Sequence, residues 1–176
     1  MRVLRDAERA TATARELAGR MSGAPDGSRR LSDLAGSGPV GAGLVGVGID
    51  AVDLDRFRTV LARRPRLARR LFTGAELAYA DLAPDAVPRL ATRFAAKEAV
   101  MKALGVGLWS FRLTDVEVAR DGLDAPTLVL HDAAAGLAAA RGVARWHLSL
   151  THTDTVAMAV AVAERAGDPA VPAWGA

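Results

Sequence analysis

Apolar positions along the chain change period several times, and each change predicts an element. From Leu44 to Asp50 apolar residues are interleaved with glycine (Gly46, Gly48), the two-residue period of a strand, here closing on a carboxylate. The period then lengthens: Leu54, Phe57, Val60 and Leu61 fall on one face of a helix over 53–64, which Pro65 is expected to stop. Thr73-Gly74-Ala75-Glu76 has the form of a capping box and predicts a short helix to about Ala80. Pro84 and Pro88 bracket a loop. Residues 89–104 carry a strong helical pattern, with Phe94, Val100, Met101 and Leu104 in its apolar row and Gly105 as its stop. Strands are predicted at 114–119 and 127–131. An alanine-rich helix with Asp132 as its cap then runs to Arg141-Gly142, and two last strands, 145–151 and 155–163, meet at a turn near His152–Asp154. In the final strand Val156, Met158, Val160 and Val162 alternate with alanines, so one of its faces can pack very closely. Mixed helices and strands ending in a hairpin predict an α+β fold.

Outside 44–165 the pattern weakens. Residues 1–43 read as an N-terminal extension: 5–21 could form a helix, but Leu4, Leu17 and Met21 make only a thin stripe, and Ser22 to Gly43 has the Gly/Ser/Pro content of a linker. Residues 166–176 are expected to be a disordered tail. The middle segment is expected to be one domain.

Composition narrows the chemistry. The chain has no cysteine, which excludes disulfides, thiolate nucleophiles and thiolate-ligated metals. The mixed charges of Met1 to Arg9 are unlike a secretory signal, and no apolar run approaches the roughly 18 residues of a membrane span. A soluble, cytoplasmic protein with no membrane partner is expected. Net charge is only +3, but seven arginines and no acid lie between Arg56 and Arg70. Such a block either forms a solvated helix face or attracts an acidic partner.

Positive charge is otherwise carried almost wholly by arginine; the only two lysines, Lys97 and Lys102, share the helix over 89–104. Glu98 and Lys102 are one turn apart at the margin of its apolar row, and Arg93 and Lys97 form another such pair. Helix support explains an i,i+4 Glu–Lys pair by itself. At the edge of a buried face, however, the carboxylate can help hold a metal and the ammonium can meet a phosphate oxygen. Asp50 ends a glycine-bearing strand, a place for a turn residue or for a metal ligand; hard oxygen donors without cysteine favour Mg²⁺. In Trp146-His147-Leu148-Ser149-Leu150-Thr151-His152, alternation turns Trp146, Leu148 and Leu150 to the core and leaves His152 displayed at the strand end, whereas His131 reads as an ordinary surface residue.

Taken together, Gly46-Val47-Gly48-Ile49-Asp50-Ala51-Val52 with Arg56, then Arg93-Phe94-Ala95-Ala96-Lys97-Glu98-Ala99 through Lys102-Ala103-Leu104-Gly105, then Trp146 to His152, resemble the 4′-phosphopantetheinyl transferases of the holo-acyl-carrier-protein synthase type. Asp50-Ala51-Val52 lacks the Asp-x-Glu of the larger pseudo-dimeric relatives, which favours the small type. The resemblance implies an antiparallel sheet with a long helix carrying the metal-site glutamate and a C-terminal hairpin. It implies transfer of phosphopantetheine from coenzyme A to a serine of an apo acyl carrier protein in fatty-acid or polyketide synthesis, releasing adenosine 3′,5′-bisphosphate. By the same resemblance Asp50 and Glu98 hold Mg²⁺, and Lys102 sits on the pyrophosphate as a catalytic group. Arg93, Lys97 and His152 contact the phosphates or adenylate end of coenzyme A, and Arg56, Arg63 and Arg66 dock the acidic carrier. A homotrimer with shared sites is implied, and the base is left between Glu98 and a bound water. Thr151 stands where serine is usual, and Val106-Gly107-Leu108-Trp109 departs from a Gly-Thr-Gly-like loop. Two other readings are a non-catalytic carrier or coenzyme A binding module, which need not keep both carboxylates, and a basic nucleic-acid-binding protein. The latter is disfavoured because only Phe57 and Phe72 accompany the arginines.

Overall fold

Small side chains decide how closely the two main layers meet. The computed structural model describes residues 43–108, 110–120 and 125–166. The expected extension, apart from Gly43, and the expected tail, apart from Ala166, lie outside the described residues, as does Trp109. Strands β1 (Leu44–Asp53), β4 (Val143–His152) and β5 (Val156–Arg165) form an antiparallel sheet in the order β1-β5-β4. One face of it carries a long helix, α4 (Val87–Ala103). Toward that helix β5 turns Ala157, Ala159, Ala161 and Ala163, each at most 1% exposed. The facing helix answers with Ala91, Ala95, Ala96, Ala99 and Ala103. On β1 the contact is closer still: a Cβ on Gly48 would lie 1.9 Å from the Ala99 carbonyl oxygen, and one on Gly46 2.0 Å from that of Ala103. Only glycine permits this approach. Trp146, Leu148 and Leu150 of β4 fill the wider end of the same face.

The other elements wrap this pair. β1 runs directly into α1 (Leu54–Arg63), whose N-cap Asp53 accepts from the Arg56 amide at 2.8 Å. The helix stops before Pro65 as expected, but Pro65 also begins a further helix, α2 (Pro65–Leu71), because proline is favoured in a first turn, where its missing N–H costs nothing. Pro88 likewise lies in the first turn of α4 rather than in the loop before it. The capping box opens α3 (Gly74–Asp81) with both reciprocal bonds formed. After a 3₁₀ turn at Leu113–Asp115, β2 (Val116–Ala119) and β3 (Thr127–Leu130) pair as a second, two-stranded antiparallel sheet.

The expected cap of the alanine helix, α5 (Asp132–Ala140), is corrected. His131 holds the extended N-cap backbone, with no side-chain cap bond, and Asp132 is already the first helical residue, at φ +41°. Among the described residues no helix is long and apolar enough to cross a membrane.

Candidate active site

The close β1–α4 packing brings three charged side chains from two elements to one edge of the sheet. Asp50 follows Gly48 on the same face of β1, while Glu98 and Lys102 are successive turns of α4 flanking Ala99. The Lys102 ammonium donates to Asp50 Oδ1 at 2.7 Å and to the Ile49 carbonyl at 2.8 Å. The Asp50 and Glu98 carboxyls hydrogen-bond each other. Burial raises Asp50 above its ordinary value, and Lys102 opposes that rise. Glu98 is pushed up to about 8, first by burial and then by the neighbouring Asp50 carboxylate. Glu98 thus keeps a proton at neutral pH because the pocket cannot hold two bare carboxylates.

This donor set fits a hard divalent cation. Two adjacent oxygen ligands carry more negative charge than their surroundings neutralise, and a cation would replace the proton on Glu98. Among the described residues no group of three or more His, Cys, Asp or Glu could hold a metal. The remaining ligands would therefore come from water or substrate, as is usual for Mg²⁺.

Lys97 is elsewhere, and the expected ligand contact from it is corrected. Its side chain is wholly buried; the ammonium donates to Glu76 Oε2 at 2.7 Å, to the Leu113 carbonyl at 2.9 Å and to the Val116 carbonyl. All three protons are used inside the protein. Glu76 is equally buried, accepting from the Thr73 amide at 2.9 Å and, through its other oxygen, from the Val118 amide at 3.0 Å. Burial lowers the Lys97 pKa, and Glu76 acts against that fall. The pair ties α3, α4 and β2 together. The capping residue visible in the sequence is thus also the partner of a buried charge.

Arg93 and His152 do come together, in a cavity of about 340 Å³ that Tyr79, Arg89, Thr151 and Arg120 also line. Arg93 is 3% exposed and stacks its guanidinium 4.2 Å from the centre of the Tyr79 ring; Arg89 approaches the same ring at 4.7 Å. Arg93 Nη1 donates to the Arg89 carbonyl at 3.1 Å, but its Nε is buried without a partner. An unpaired guanidinium nitrogen beside further arginines and a histidine suits an anionic ligand. The cavity opens by β4, and the carboxylate pair lies by β1, so the two half-sites occupy opposite edges of the sheet.

A profile of the 4′-phosphopantetheinyl transferase superfamily matches residues 46–161. The chain belongs to this superfamily. It is 43% identical over 115 residues to the holo-[acyl-carrier-protein] synthase of Moorella thermoacetica, covering 65% of this chain and 90% of that one. It is 50% identical over 118 residues to the synthase of Frankia casuarinae, covering 65% and 92%. Its fold matches a Bacillus anthracis holo-(acyl-carrier-protein) synthase solved with CoA (3′,5′-ADP), at TM-score 0.59 and 30% identity over 70% of this chain and 98% of that one.

In this phosphopantetheinyl transferase the arginine block divides. Arg58 forms a bidentate pair with Asp85, at 2.7 and 3.1 Å, linking α1 to the loop before α4. Arg56, Arg63 and Arg66 are exposed, as are Arg64, Arg69 and Arg70, along α1, α2 and the junction between them. Sequence reasoning missed Glu76 as a buried hub and Tyr79, Arg89 and Arg120 as cavity residues. Tyr79 carried one signal, being the only tyrosine of the chain; nothing local marks the arginines.

Proposed function

We propose that this chain is a Mg²⁺-dependent holo-acyl-carrier-protein synthase, transferring 4′-phosphopantetheine from coenzyme A to a serine of an apo acyl carrier protein. The observation that carries this is the juxtaposition of Asp50, Glu98 and Lys102 at the β1–α4 contact in a transferase-family chain. The serine oxygen attacks the pantetheine-side phosphorus of the pyrophosphate, and the bond to the other phosphate breaks, releasing adenosine 3′,5′-bisphosphate. Mg²⁺ at Asp50 and Glu98 neutralises the pyrophosphate charge when bound. Lys102, on a half-exposed flexible stem, stabilises the negative charge gathering on the leaving phosphate. Arg93 and His152 take the anionic adenylate end of coenzyme A in the cavity by β4. This is supported by the unpartnered Arg93 nitrogen. Arg56, Arg63 and Arg66 dock the acidic carrier, and their charge speeds encounter more than it strengthens the complex.

A homotrimer with shared sites accords with two features. The sheet face turned away from α4 exposes Val47, Ile49 and Met158 at 49%, 53% and 40%. The half-sites lie at opposite edges, so a head-to-tail ring of copies would set the β1 edge of one beside the β4 edge of the next. Sedimentation reads the assembly directly. The names of the relatives favour this enzymatic reading over a non-catalytic module.

The test mixes the protein with Mg²⁺, coenzyme A and a panel of apo carriers from fatty-acid, polyketide and peptide synthesis, and reads intact masses. One phosphopantetheine adduct on at least one carrier is expected; none on any carrier overturns the reading.

A further inference from the structure

In this structure Asp50 already has a counter-ion. Lys102 places its ammonium on the Asp50 carboxylate and the neighbouring Ile49 carbonyl, two acceptors of the same strand. The Asp50 side chain is 11% exposed and that of Lys102 40%, so the ammonium covers the carboxylate from the solvent side. Asp50 cannot retreat, because Gly46 and Gly48 hold β1 against the backbone of α4. The lysine stem has four methylenes and open space, so it is the part able to move.

A divalent ion approaching Asp50 therefore meets a positive charge bound to its own ligand, and the two repel strongly at contact distance. An anion arriving beside the pair removes the conflict by offering the ammonium another partner. We propose that Lys102 is a counter-ion gate that occupies Asp50 until the pyrophosphate of coenzyme A draws it away, so that metal and coenzyme A bind cooperatively. This rests on the proposed metal site and deepens it. By linkage, the factor by which coenzyme A tightens the metal equals the factor by which the metal tightens coenzyme A. The gate would also disfavour a metal-loaded, substrate-free enzyme.

The probe is Mn²⁺, its free concentration read by electron paramagnetic resonance, with and without coenzyme A, for the wild type, Lys102→Met, Lys102→Arg and Asp50→Asn. Lys102 is in the exposed last turn of α4, and a thermal melt confirms that each variant folds. Without coenzyme A, Lys102→Met is expected to bind Mn²⁺ about tenfold more tightly than wild type, within the usual range of coupling between sites. Adding coenzyme A should tighten Mn²⁺ far more in wild type than in Lys102→Met. Lys102→Arg, which keeps the charge, should remain as weak as wild type for the metal alone, and Asp50→Asn should lose the metal in every condition.

Unchanged or weaker Mn²⁺ binding by Lys102→Met alone overturns the gate while leaving the metal site intact. Absence of Mn²⁺ binding by wild type even with coenzyme A overturns the metal site and the gate with it.

Discussion

Replacing Gly48 with alanine tests whether the β1–α4 contact sets the catalytic geometry. The added Cβ would sit 1.9 Å from the Ala99 carbonyl oxygen, 2.7 Å from the Ala103 nitrogen and 2.8 Å from the Ala99 carbonyl carbon. An unforced carbon–oxygen contact is about 3.3 Å, so strand and helix must separate by roughly 1.4 Å. The obstructing atoms are backbone, and no side chain can rotate away. Asp50 is two residues along β1 on the same face, and Glu98 immediately precedes Ala99, so the separation falls directly between the two carboxylates. Misplacement on the order of 1 Å costs about a hundredfold in rate. Overpacking of this kind destabilises by about 1–3 kcal/mol. The assay is kcat/KM for carrier modification by intact mass, beside urea denaturation of the same samples. Gly74→Ala is the control, since a Cβ there meets nothing within 4 Å. A Gly48→Ala protein with kcat/KM within about threefold of wild type refutes the link between packing and geometry, because the reasoning calls for about a hundredfold. An unchanged urea midpoint refutes the packing itself.

The buried pair gives a separate stability prediction. Lys97→Met should cost about 3–5 kcal/mol in urea denaturation by leaving Glu76 unpaired, and adding Glu76→Leu to it should recover part of that loss; equal loss in single and double variants would contradict this. For pH, Glu98 is about 8 in the fold against 4.5 ordinarily, so the folded metal-free protein binds the extra proton between those values. Its contribution to stability is therefore full below about 4.5 and lost as pH rises through about 8. In EDTA the urea midpoint should fall over that window, Glu98→Gln should flatten this part of the slope, and Mg²⁺ should offset the fall; a slope unaffected by Glu98→Gln would refute the assignment. At the arginine surface, charge reversal at Arg63 and Arg66 should raise KM for the carrier, leave KM for coenzyme A unchanged and weaken the dependence on salt. A matching rise for coenzyme A would show that these residues act elsewhere.

The element order was legible in the sequence because it depends on local periodicity and on residues that act through their own backbone. Alternating Val and Ala marked β5, the capping box marked α3, and Gly105, observed at φ +62°, marked the end of α4. Pro65 was half legible: proline signals a discontinuity, but whether a helix ends there or another begins depends on what the next turn can pack against. Asp132 was misread because aspartate is favourable both as a cap and in the first turn, and only the backbone angles separate the two.

The candidate site divides in the same way. Asp50, Glu98 and Lys102 could be named from the chain because a strand end and two turns of one helix face are local facts. Lys97 could not be assigned. Helical spacing shows that it points away from Lys102, but not that Glu76 and two carbonyls wait on that side, 16 to 21 residues away in the chain. The sequence by itself determined the elements, the pairing of a carboxylate strand with a lysine-bearing helix, and the membership that its motifs resemble. Only the tertiary structure decided which lysine is a buried pin and which is displayed. It alone also showed that Glu98 holds a proton and that the arginine–histidine cavity opens at the far edge of the sheet. Burial, charge coupling and cavity shape come from residues that meet only when the chain folds, whereas a local pattern reports which way a side chain points and not what it meets there.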